Sequence, residues 1–355
     1  MKGLTVKYLA MLLAVVALCA AACAAEGATG TIPLWRDNSP AMASIVAFVE
    51  SVTDETSPDY VPPEGRIALF DSDGTLCGER YPTYVDQCML MYRLLHDETC
   101  ESPNEEDRAF AQALEEALLN GEPEPESPRS TAQMAAESFK GFTVEEYRAY
   151  VRDFMSRSVP GFEGLTYGQR FFLPMVELVR YLAERDFVVF ICSGTERSFL
   201  REMTADVLGA WIPPYRVIGT TFSLTATGQG DKAGRSYTYA PDDQVLLEGN
   251  MSFKNLKMNK VVSIVDEIGA YPLLVFGNSS GDFAMAQYAL QHGGRAYMLL
   301  CDDTERDYGD TGEAEAFAAE CAALGFETVS MRNEFETIYG ENVVKAQPAA
   351  LEPAA

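Results

Sequence analysis

Basic residues are scarce in this sequence. Its 355 residues include 27 lysines and arginines against 53 aspartates and glutamates, which gives a formal net charge of −26. Proteins that bind nucleic-acid phosphates need a basic face, so the composition argues against that class. The field of the whole protein also disfavours the capture of anions. Any anion-binding site must therefore be local, built from a cation and backbone N–H groups.

Residues that form common metal cages are also few. The sequence has two histidines, His96 and His292, which are isolated from each other, and we assign them no function. No two of the eight cysteines have the C-x-x-C spacing of a metal-binding pair. The cysteine spacing therefore indicates no metal site of this type, and it does not define any disulfide pairing.

The apolar run at the start of the chain is short. It extends from Tyr8 to Ala22 and has about 15 residues, fewer than the roughly 20 that a spanning helix needs. A basic start precedes it and small residues follow, so we predict a signal peptide over 1–23, with a retained membrane anchor as the alternative. The segment "AAAC", ending at Cys23, also resembles a bacterial lipoprotein signal. We expect an extracytoplasmic protein that is either anchored by a lipid at Cys23 or secreted.

Short apolar runs alternate with segments of helical periodicity along the rest of the chain. The runs predict buried strands, and their alternation with helices predicts an α/β fold with a parallel sheet covered on both faces. Residues 216–253 are β-rich, and Asn255 is placed to cap the helix that follows. The predicted buried strands are 66–71, 187–194, 272–278 and 296–301.

The helical pattern is concentrated in one insert. Apolar residues recur there at i, i+3, i+4 and i+7, which is typical of amphipathic helices. We therefore divide the part of the chain after the signal peptide into a lead-in, an α/β core in two pieces, a helical insert and a disordered tail. The lead-in is 24–65, and the core consists of 66–79 and 180–345. The helical insert is 80–179 and the tail is 346–355.

Polar residues collect where the predicted strands end. Asp71 and Asp73 follow the first strand, Ser193 ends the second, and Asn278 and Asp282 follow the third. Open α/β sheets bind ligands outside the carboxyl ends of their strands. We therefore expect these residues to form one site.

The pair Asp71 and Asp73 carries the strongest chemical signal. Side chains two residues apart on extended backbone point the same way, and two carboxylates about 4 Å apart repel by about 4 kcal/mol at an effective dielectric of about 20. Mg²⁺ would relieve this repulsion, because it takes oxygen ligands and accepts one or two carboxylates plus a substrate phosphate. Gly74 can turn the backbone tightly and leave N–H groups free for an anion. The alternative is a capped turn with no catalytic function.

Four segments, in this order, resemble the motifs of the haloacid dehalogenase (HAD) superfamily. They are "FDSDGTL", "VVFICSG", the lysine at the start of "NKVVSIVDEIG", and "VFGNSSGDFAM". The fourth has the form seen in bacterial phosphoserine-phosphatase-like members, and "LLCDDTERDYG" resembles a later segment of that subgroup. The resemblance covers roughly 66–79 and 174–340. It implies a Rossmann-like core in which the insert 80–179 is a helical cap that can close over the site.

The resemblance also implies an activity and a role for each matched residue. The chain would be a Mg²⁺-dependent phosphatase that hydrolyses a small phosphorylated metabolite. Asp71 would be the nucleophile and form an aspartyl phosphate, and Asp73 would be the general acid and then the general base. The Asp71 carboxylate and the Asp73 carbonyl would bind Mg²⁺. Phosphate oxygens would be held by the N-terminus of the helix after the second motif and by Ser193, the Gly194 N–H, Gly74 and Thr75.

Two lysines fit the third motif. Lys260 matches the spacing of the subgroup without a gap, whereas Lys257 matches the longer helix of phosphoserine phosphatases. The two are i, i+3 neighbours on one helical face. Either would offset the charge on the nucleophile and on the transferring phosphoryl group, and we prefer Lys260.

Asn278 stands where the superfamily often has aspartate. Its amide oxygen can bind Mg²⁺ but adds no charge, and Asp282 would bind the metal directly or through water. The alternatives are a turn-forming role for Asn278 and a helix N-cap for Asp282. Glu79 and Arg197 are candidates for substrate contacts, with a solvated charge as the alternative for Glu79.

Other functions fit the same motifs. Dehalogenation is disfavoured because it needs neither Asp73 nor a metal. A phosphotransferase of the same fold and a substrate-binding lipoprotein with weak catalysis are the alternatives to a phosphatase. The expected partner is a small phosphorylated substrate, with no nucleic acid, and a membrane would be contacted only through a lipid at Cys23.

Overall fold

The computed structural model describes residues 31–100 and 104–349. The predicted signal peptide and the lipid site at Cys23 therefore lie outside the described residues. Within the described ranges, no helix combines the length and the apolar character needed to cross a membrane. The cysteines in these ranges are unpaired thiols, namely Cys77, Cys88, Cys100, Cys192, Cys301 and Cys321.

Strands and helices alternate along the described chain, as predicted. The helices are α1 (Pro40–Thr53), α2 (Val85–Leu95), α3 (Glu105–Asn120), α4 (Thr131–Ser138), α5 (Val144–Met155), α6 (Leu173–Ala183), α7 (Arg197–Leu208), α8 (Met258–Ser263), α9 (Phe283–Gln291), α10 (Thr311–Leu324) and α11 (Met331–Glu334). The strands are β1 (Ile67–Phe70), β2 (Phe162–Glu163), β3 (Val188–Glu196), β4 (Val217–Ala226), β5 (Val245–Phe253), β6 (Leu274–Gly277), β7 (Arg295–Leu300), β8 (Glu327–Ser330) and β9 (Val344–Lys345).

A seven-stranded sheet forms the core, with the strand order β5-β4-β3-β1-β6-β7-β8. All neighbouring strands pair in parallel except β5, which runs antiparallel to β4 at the edge. The predicted α/β fold with a mostly parallel sheet is confirmed. All four residues of β1 are buried, and Phe70 stacks on Phe276 of β6 with ring centroids 4.4 Å apart. The carboxyl end of β1 therefore lies in the middle of the sheet edge.

The helical insert packs against the antiparallel edge of this sheet. The Gly141 N–H donates to the Leu247 carbonyl at 2.9 Å, and the Leu247 N–H donates to the Phe142 carbonyl at 2.8 Å. These bonds join the segment between α4 and α5 to β5. Helix α6 packs against β3, so the predicted boundary between insert and core, at 179/180, falls inside a helix of the core.

Arg170 joins the two chain segments that connect the insert to the core. It is fully buried, and its guanidinium donates to the Tyr81 carbonyl at 2.7 Å and to the Thr83 carbonyl at 2.8 Å. The Arg170 carbonyl in turn accepts from the Gly78 N–H at 3.1 Å. One buried cation thus satisfies carbonyls that would otherwise lack partners in the interior.

Residues 346–349, which we predicted to be disordered, form hydrogen bonds with the insert and with one of these connecting segments. The Ala346 N–H donates to the Gly161 carbonyl at 2.8 Å, and the Ala349 N–H donates to the Tyr81 hydroxyl at 3.0 Å. The prediction of disorder is based on the composition of the tail. Composition does not show that the Gly161 carbonyl and the Tyr81 hydroxyl are available as hydrogen-bond partners. The remainder of the predicted tail, 350–355, lies outside the described residues.

Candidate active site

The carboxyl ends of β1, β3 and β6 open into one cavity of about 200 Å³. Ser72 is fully buried while its two neighbours face the cavity, as expected for side chains with a period of two. The structure therefore brings together the residues that the strand ends predict. The cavity lining includes Asp71, Asp73, Ser193, Gly194, Asn278 and Asp282.

Lys260 lies between two carboxylates. Its Nζ donates to Asp71 Oδ1 at 2.7 Å and to Asp282 Oδ1 at 2.6 Å, and its exposed fraction is 1%. Lys257 is exposed, at the residue that precedes α8. Of the two lysines that fit the third motif, the geometry therefore selects Lys260 as the one that faces Asp71.

Burial dominates the electrostatics of this group. It raises the pKa of Asp71 to about 7, with the charge of Asp282 adding to the shift and Lys260 opposing it. Burial acts to lower the pKa of Lys260, but the charges of Asp282 and Asp71 outweigh this effect and raise that pKa. The lysine therefore stays charged between its two partners, and a divalent cation would also favour the charged form of Asp71.

Asp73 has a different partner. Its Oδ2 accepts a hydrogen bond from Thr195 Oγ1 at 2.7 Å. Burial and then the charge of Asp86 raise the pKa of Asp73 to about 6, while the bond from Thr195 opposes the shift. Within 31–100 and 104–349 no lysine bonds to this carboxyl, so it can exchange a proton with a ligand. Sequence reasoning missed Thr195, although it lies two residues after Ser193 on the same extended face.

Asn255 supports Ser193 from the interior. Its Nδ2 donates to the Ser193 carbonyl at 2.9 Å, and its Oδ1 accepts from Ser263 Oγ at 2.9 Å. The prediction that Asn255 caps a helix is wrong, because it is fully buried and α8 begins at Met258. The buried amide instead fixes the end of β3 relative to α8.

Lys254 also lines the cavity, and sequence reasoning missed it. Its Nζ donates to the Gly194 carbonyl at 2.8 Å. Lys254 follows β5, which joins the sheet antiparallel, so the rule that places ligands at the ends of parallel strands does not cover it. The structure thus places a second lysine beside the end of β3.

Helix α7, which follows the second motif, is capped by the side chain of the residue that precedes it, Glu196. The carboxylate of Glu196 accepts from the Phe199 N–H at 2.7 Å and so occupies the N-terminus of α7. Arg197 pairs with Glu267, with 2.6 Å between nitrogen and oxygen, and it does not line the cavity. The structure therefore does not bring Arg197 or the first turn of α7 to the site.

The turn after Asp73 is tight. Gly74 has φ +70°, and a Cβ at this position would lie 2.0 Å from Asn278 Nδ2, so both the backbone angle and the space require glycine. Thr75 is fully buried and donates from Oγ1 to Asn278 Oδ1 at 3.2 Å. The side chain of Thr75 contacts the fourth motif, and neither Gly74 nor Thr75 lines the cavity.

Asp282 uses both of its carboxylate oxygens. Oδ1 accepts from Lys260, and Oδ2 accepts from the backbone N–H groups of Asn278 at 3.0 Å and Ser279 at 3.2 Å. It precedes α9 but makes no side-chain cap of that helix. Asn278 itself donates from Nδ2 to Glu79 Oε1 at 2.7 Å, which brings Glu79 to the cavity wall.

Residues at this end of the cavity fit Mg²⁺. The carboxylate of Asp71, the carbonyl of Asp73 and the amide oxygen of Asn278 are the hard oxygen donors that this cation prefers. Burial, and then the charges of Asp73 and Asp71, raise the pKa of Glu79 to about 8, and acidic side chains in the lining are in excess of lysines. A divalent cation would offset this excess and would favour the charged form of Glu79. The acidic side chains of the lining are Asp71, Asp73, Glu79, Asp86 and Asp282, and its lysines are Lys254 and Lys260.

The insert supplies one wall of the cavity. Tyr84, Asp86 and Gln87 reach it from the start of α2, and Thr131 reaches it from the start of α4. Sequence reasoning missed these four residues because they belong to no motif. The cavity is therefore bounded jointly by the motif residues and by the insert.

Solved structures with low sequence identity resemble this chain. A conserved protein of unknown function from Anaerococcus prevotii DSM 20548 has 15% identity and a TM-score of 0.50, covering 89% of this chain and 100% of that chain. A phosphoserine phosphohydrolase-like protein from Francisella tularensis subsp. tularensis SCHU S4 has 14% identity and a TM-score of 0.36, covering 66% and 87%. A probable phosphoserine phosphatase from Vibrio cholerae has 11% identity and a TM-score of 0.37, covering 76% and 62%. No curated protein matches the chain.

A family model described as haloacid dehalogenase-like hydrolase matches residues 68–287. The match includes the ends of β1, β3 and β6 and therefore the lining residues from Asp71 to Asp282. It confirms the predicted family and a hydrolase as the class of enzyme. The chain belongs to the haloacid dehalogenase-like hydrolase family.

Proposed function

We propose that this protein is a Mg²⁺-dependent phosphomonoester hydrolase that acts through an aspartyl phosphate on Asp71. The position of Asp71 carries the proposal. Its Oδ1 is held by Lys260 at 2.7 Å, which leaves Oδ2 as the attacking atom, and Asp73 lines the same cavity. The proposed nucleophile and the proposed proton donor thus share one cavity.

In the first step, Asp71 Oδ2 forms a bond to phosphorus while the bond from phosphorus to the leaving oxygen breaks. Asp73 donates its proton to that leaving oxygen, so an alcohol departs. Lys260 offsets the negative charge on Asp71 and on the phosphoryl group. Its two fixed carboxylate partners hold it in place throughout.

In the second step, water attacks the phosphorus and Asp73 takes its proton, while the bond between Asp71 and phosphorus breaks. The products are inorganic phosphate and the original carboxylate. Ser193 and the Gly194 N–H lie at the cavity where they would hold phosphoryl oxygens. Mg²⁺, held by Asp71, the Asp73 carbonyl and Asn278, would supply charge neutralisation at those oxygens.

The cavity favours a small substrate. Its volume of about 200 Å³ is below the range of about 300–1,000 Å³ that is usual for drug-sized ligands. Polar and charged side chains dominate its lining. We therefore propose a small phosphorylated metabolite as the substrate. The N-terminal sequence supports the further proposal that the enzyme is exported and is either lipid-anchored at Cys23 or secreted.

Removal of the cation should strongly decrease the proposed activity. We expect the mature chain, without residues 1–23, to hydrolyse p-nitrophenyl phosphate in the presence of Mg²⁺. Chelation should lower the rate by about 100-fold, since a metal contributes several kcal/mol to stabilising transition-state charge. Added Mg²⁺ should restore the rate. The measurement is the release of nitrophenolate before chelation, after it, and after Mg²⁺ is returned.

Each alternative function predicts a different result in this assay. A rate that is unaffected by the chelator would contradict the proposed cation. Phosphoryl transfer that requires an added alcohol would identify a phosphotransferase, and binding of phosphorylated metabolites without turnover would identify a binding protein. A panel of small phosphomonoesters, ranked by kcat/KM, would then define the natural substrate class.

A further inference from the structure

The fourth motif supplies less negative charge to the metal side of the site than its sequence suggests. Asp282 is its acidic residue, but both of its oxygens are occupied, by Lys260 on one side and by two backbone N–H groups on the other. Its charge pairs with the buried lysine at 2.6 Å. A cation beside Asn278 therefore gains little from Asp282.

Glu79 lies on the opposite side of the Asn278 amide. Asn278 Nδ2 donates to Glu79 Oε1 at 2.7 Å. The adjacent Arg80 does not form an ion pair with Glu79, because it pairs with Glu313 at 2.7 Å. Glu79 thus places a carboxylate directly against the amide whose oxygen would face the cation.

Packing holds this pair in place. A Cβ on Gly74 would lie 2.0 Å from Asn278 Nδ2 and 2.5 Å from Glu79 Cδ. Thr75 donates to the amide oxygen of Asn278 from the other side at 3.2 Å. The turn at Gly74, Asn278 of the fourth motif and Glu79 are therefore in close contact. The Asn278 amide is oriented by the Thr75 hydroxyl, which donates to it, and by the Glu79 carboxylate, which accepts from it.

We propose that Glu79 supplies the negative charge that Asn278 lacks, and that the two residues together replace the aspartate common at this position in the family. A carboxylate that accepts from Nδ2 polarises the amide and increases electron density on Oδ1. Carboxylates behind metal-binding histidines increase ligand basicity in the same way. This inference rests on the proposed Mg²⁺-dependent function and assigns Glu79 to the metal side of the site, not to the substrate.

The test is the affinity for Mn²⁺, measured by the electron paramagnetic resonance signal of the free ion, in the mature chain without substrate. We expect Glu79→Gln to weaken Mn²⁺ binding by about 10-fold or more, the usual effect of removing a residue that supports a metal ligand. Asn278→Asp, added to Glu79→Gln, should return the affinity to within about 3-fold of the wild type, because the charge is restored at the neighbouring position.

Glu315→Gln is the control, since it removes the same charge from an exposed position on α10 and should leave Mn²⁺ binding unchanged. Equal Mn²⁺ affinities of the wild type and Glu79→Gln would overturn this inference alone, whatever happens to KM. Failure of Asn278→Asp to restore the affinity would also overturn it, because Glu79 would then act through shape and not charge. A wild type that binds no Mn²⁺ and needs no cation for turnover would instead overturn the proposed function.

Discussion

Replacing Asp71 by asparagine should lower kcat for phosphomonoester hydrolysis by on the order of 10⁴-fold or more, because the attacking oxygen becomes an amide group. The substitution keeps the size of the side chain, and Lys260 keeps its bond to Asp282 at 2.6 Å. The fold should therefore survive. The measurement is kcat under saturating substrate and Mg²⁺, with circular dichroism to verify the fold.

Asp206→Asn is a suitable control for Asp71→Asn. It removes the same charge from an exposed position on α7 and should leave kcat within about 2-fold of the wild type, as surface substitutions usually do. Wild-type turnover by Asp71→Asn would refute the assignment of the nucleophile. A residual rate that Mg²⁺ does not change would indicate slow background hydrolysis by bound water.

Replacing Lys260 by methionine should damage stability and catalysis together. The substitution leaves Asp71 and Asp282 buried without their shared cation, and breaking such a pair typically costs about 3–5 kcal/mol. Catalysis should fall as well, because the same charge offsets the nucleophile and the phosphoryl group. The measurements are the free energy of unfolding by urea denaturation and kcat of the variant.

Lys257→Met is the matched control, because this lysine is three residues away and exposed. Lys257→Met should change neither the free energy of unfolding nor kcat appreciably. The double variant Lys260→Met with Asp282→Asn should recover part of the lost stability but not the activity, since it removes one of the two stranded charges and keeps an amide oxygen that can accept from the Asn278 and Ser279 N–H groups. If Lys260→Met behaved like Lys257→Met, the central ion-pair arrangement would be wrong.

The candidate site could be predicted from sequence where its residues obey a simple geometric rule. Asp71 and Asn278 follow β1 and β6, and Ser193 lies near the carboxyl end of β3. These three strands are parallel neighbours, so the three residues meet at one edge of the sheet. Asp71 and Asp73 share a direction because extended backbone has a period of two. These rules use only local pattern and strand order, and both are visible in the sequence.

Residues whose positions depend on tertiary packing could not be predicted. The sequence predicts Asn255 as a helix cap, yet Asn255 is buried and its Nδ2 donates to the Ser193 carbonyl at 2.9 Å. Arg197 lies next to the second motif, but its guanidinium pairs with the Glu267 carboxylate, with 2.6 Å between nitrogen and oxygen, and it does not line the cavity. Lys254 approaches from an antiparallel strand to which the strand-end rule does not apply. Each outcome depends on a partner distant in sequence.

The same limit applies to the choice between the two lysines. Lys257 and Lys260 share a helical face by spacing, so periodicity cannot separate them. The separation arises because α8 begins only at Met258, which leaves Lys257 outside the helix and turns Lys260 inward. Lys257 makes no side-chain cap of α8, so no capping residue marks the start of this helix in the sequence.

The formation of a covalent intermediate on Asp71 tests the central claim most directly. The mature enzyme would be mixed with excess phosphomonoester and Mg²⁺, quenched in acid during turnover, and reduced with borohydride, which converts an aspartyl phosphate to homoserine. Peptide mass spectrometry should find homoserine at position 71 in a substrate-dependent fraction of the protein. Steady phosphate release with no modification of Asp71, or with modification at another residue, would contradict the proposed mechanism.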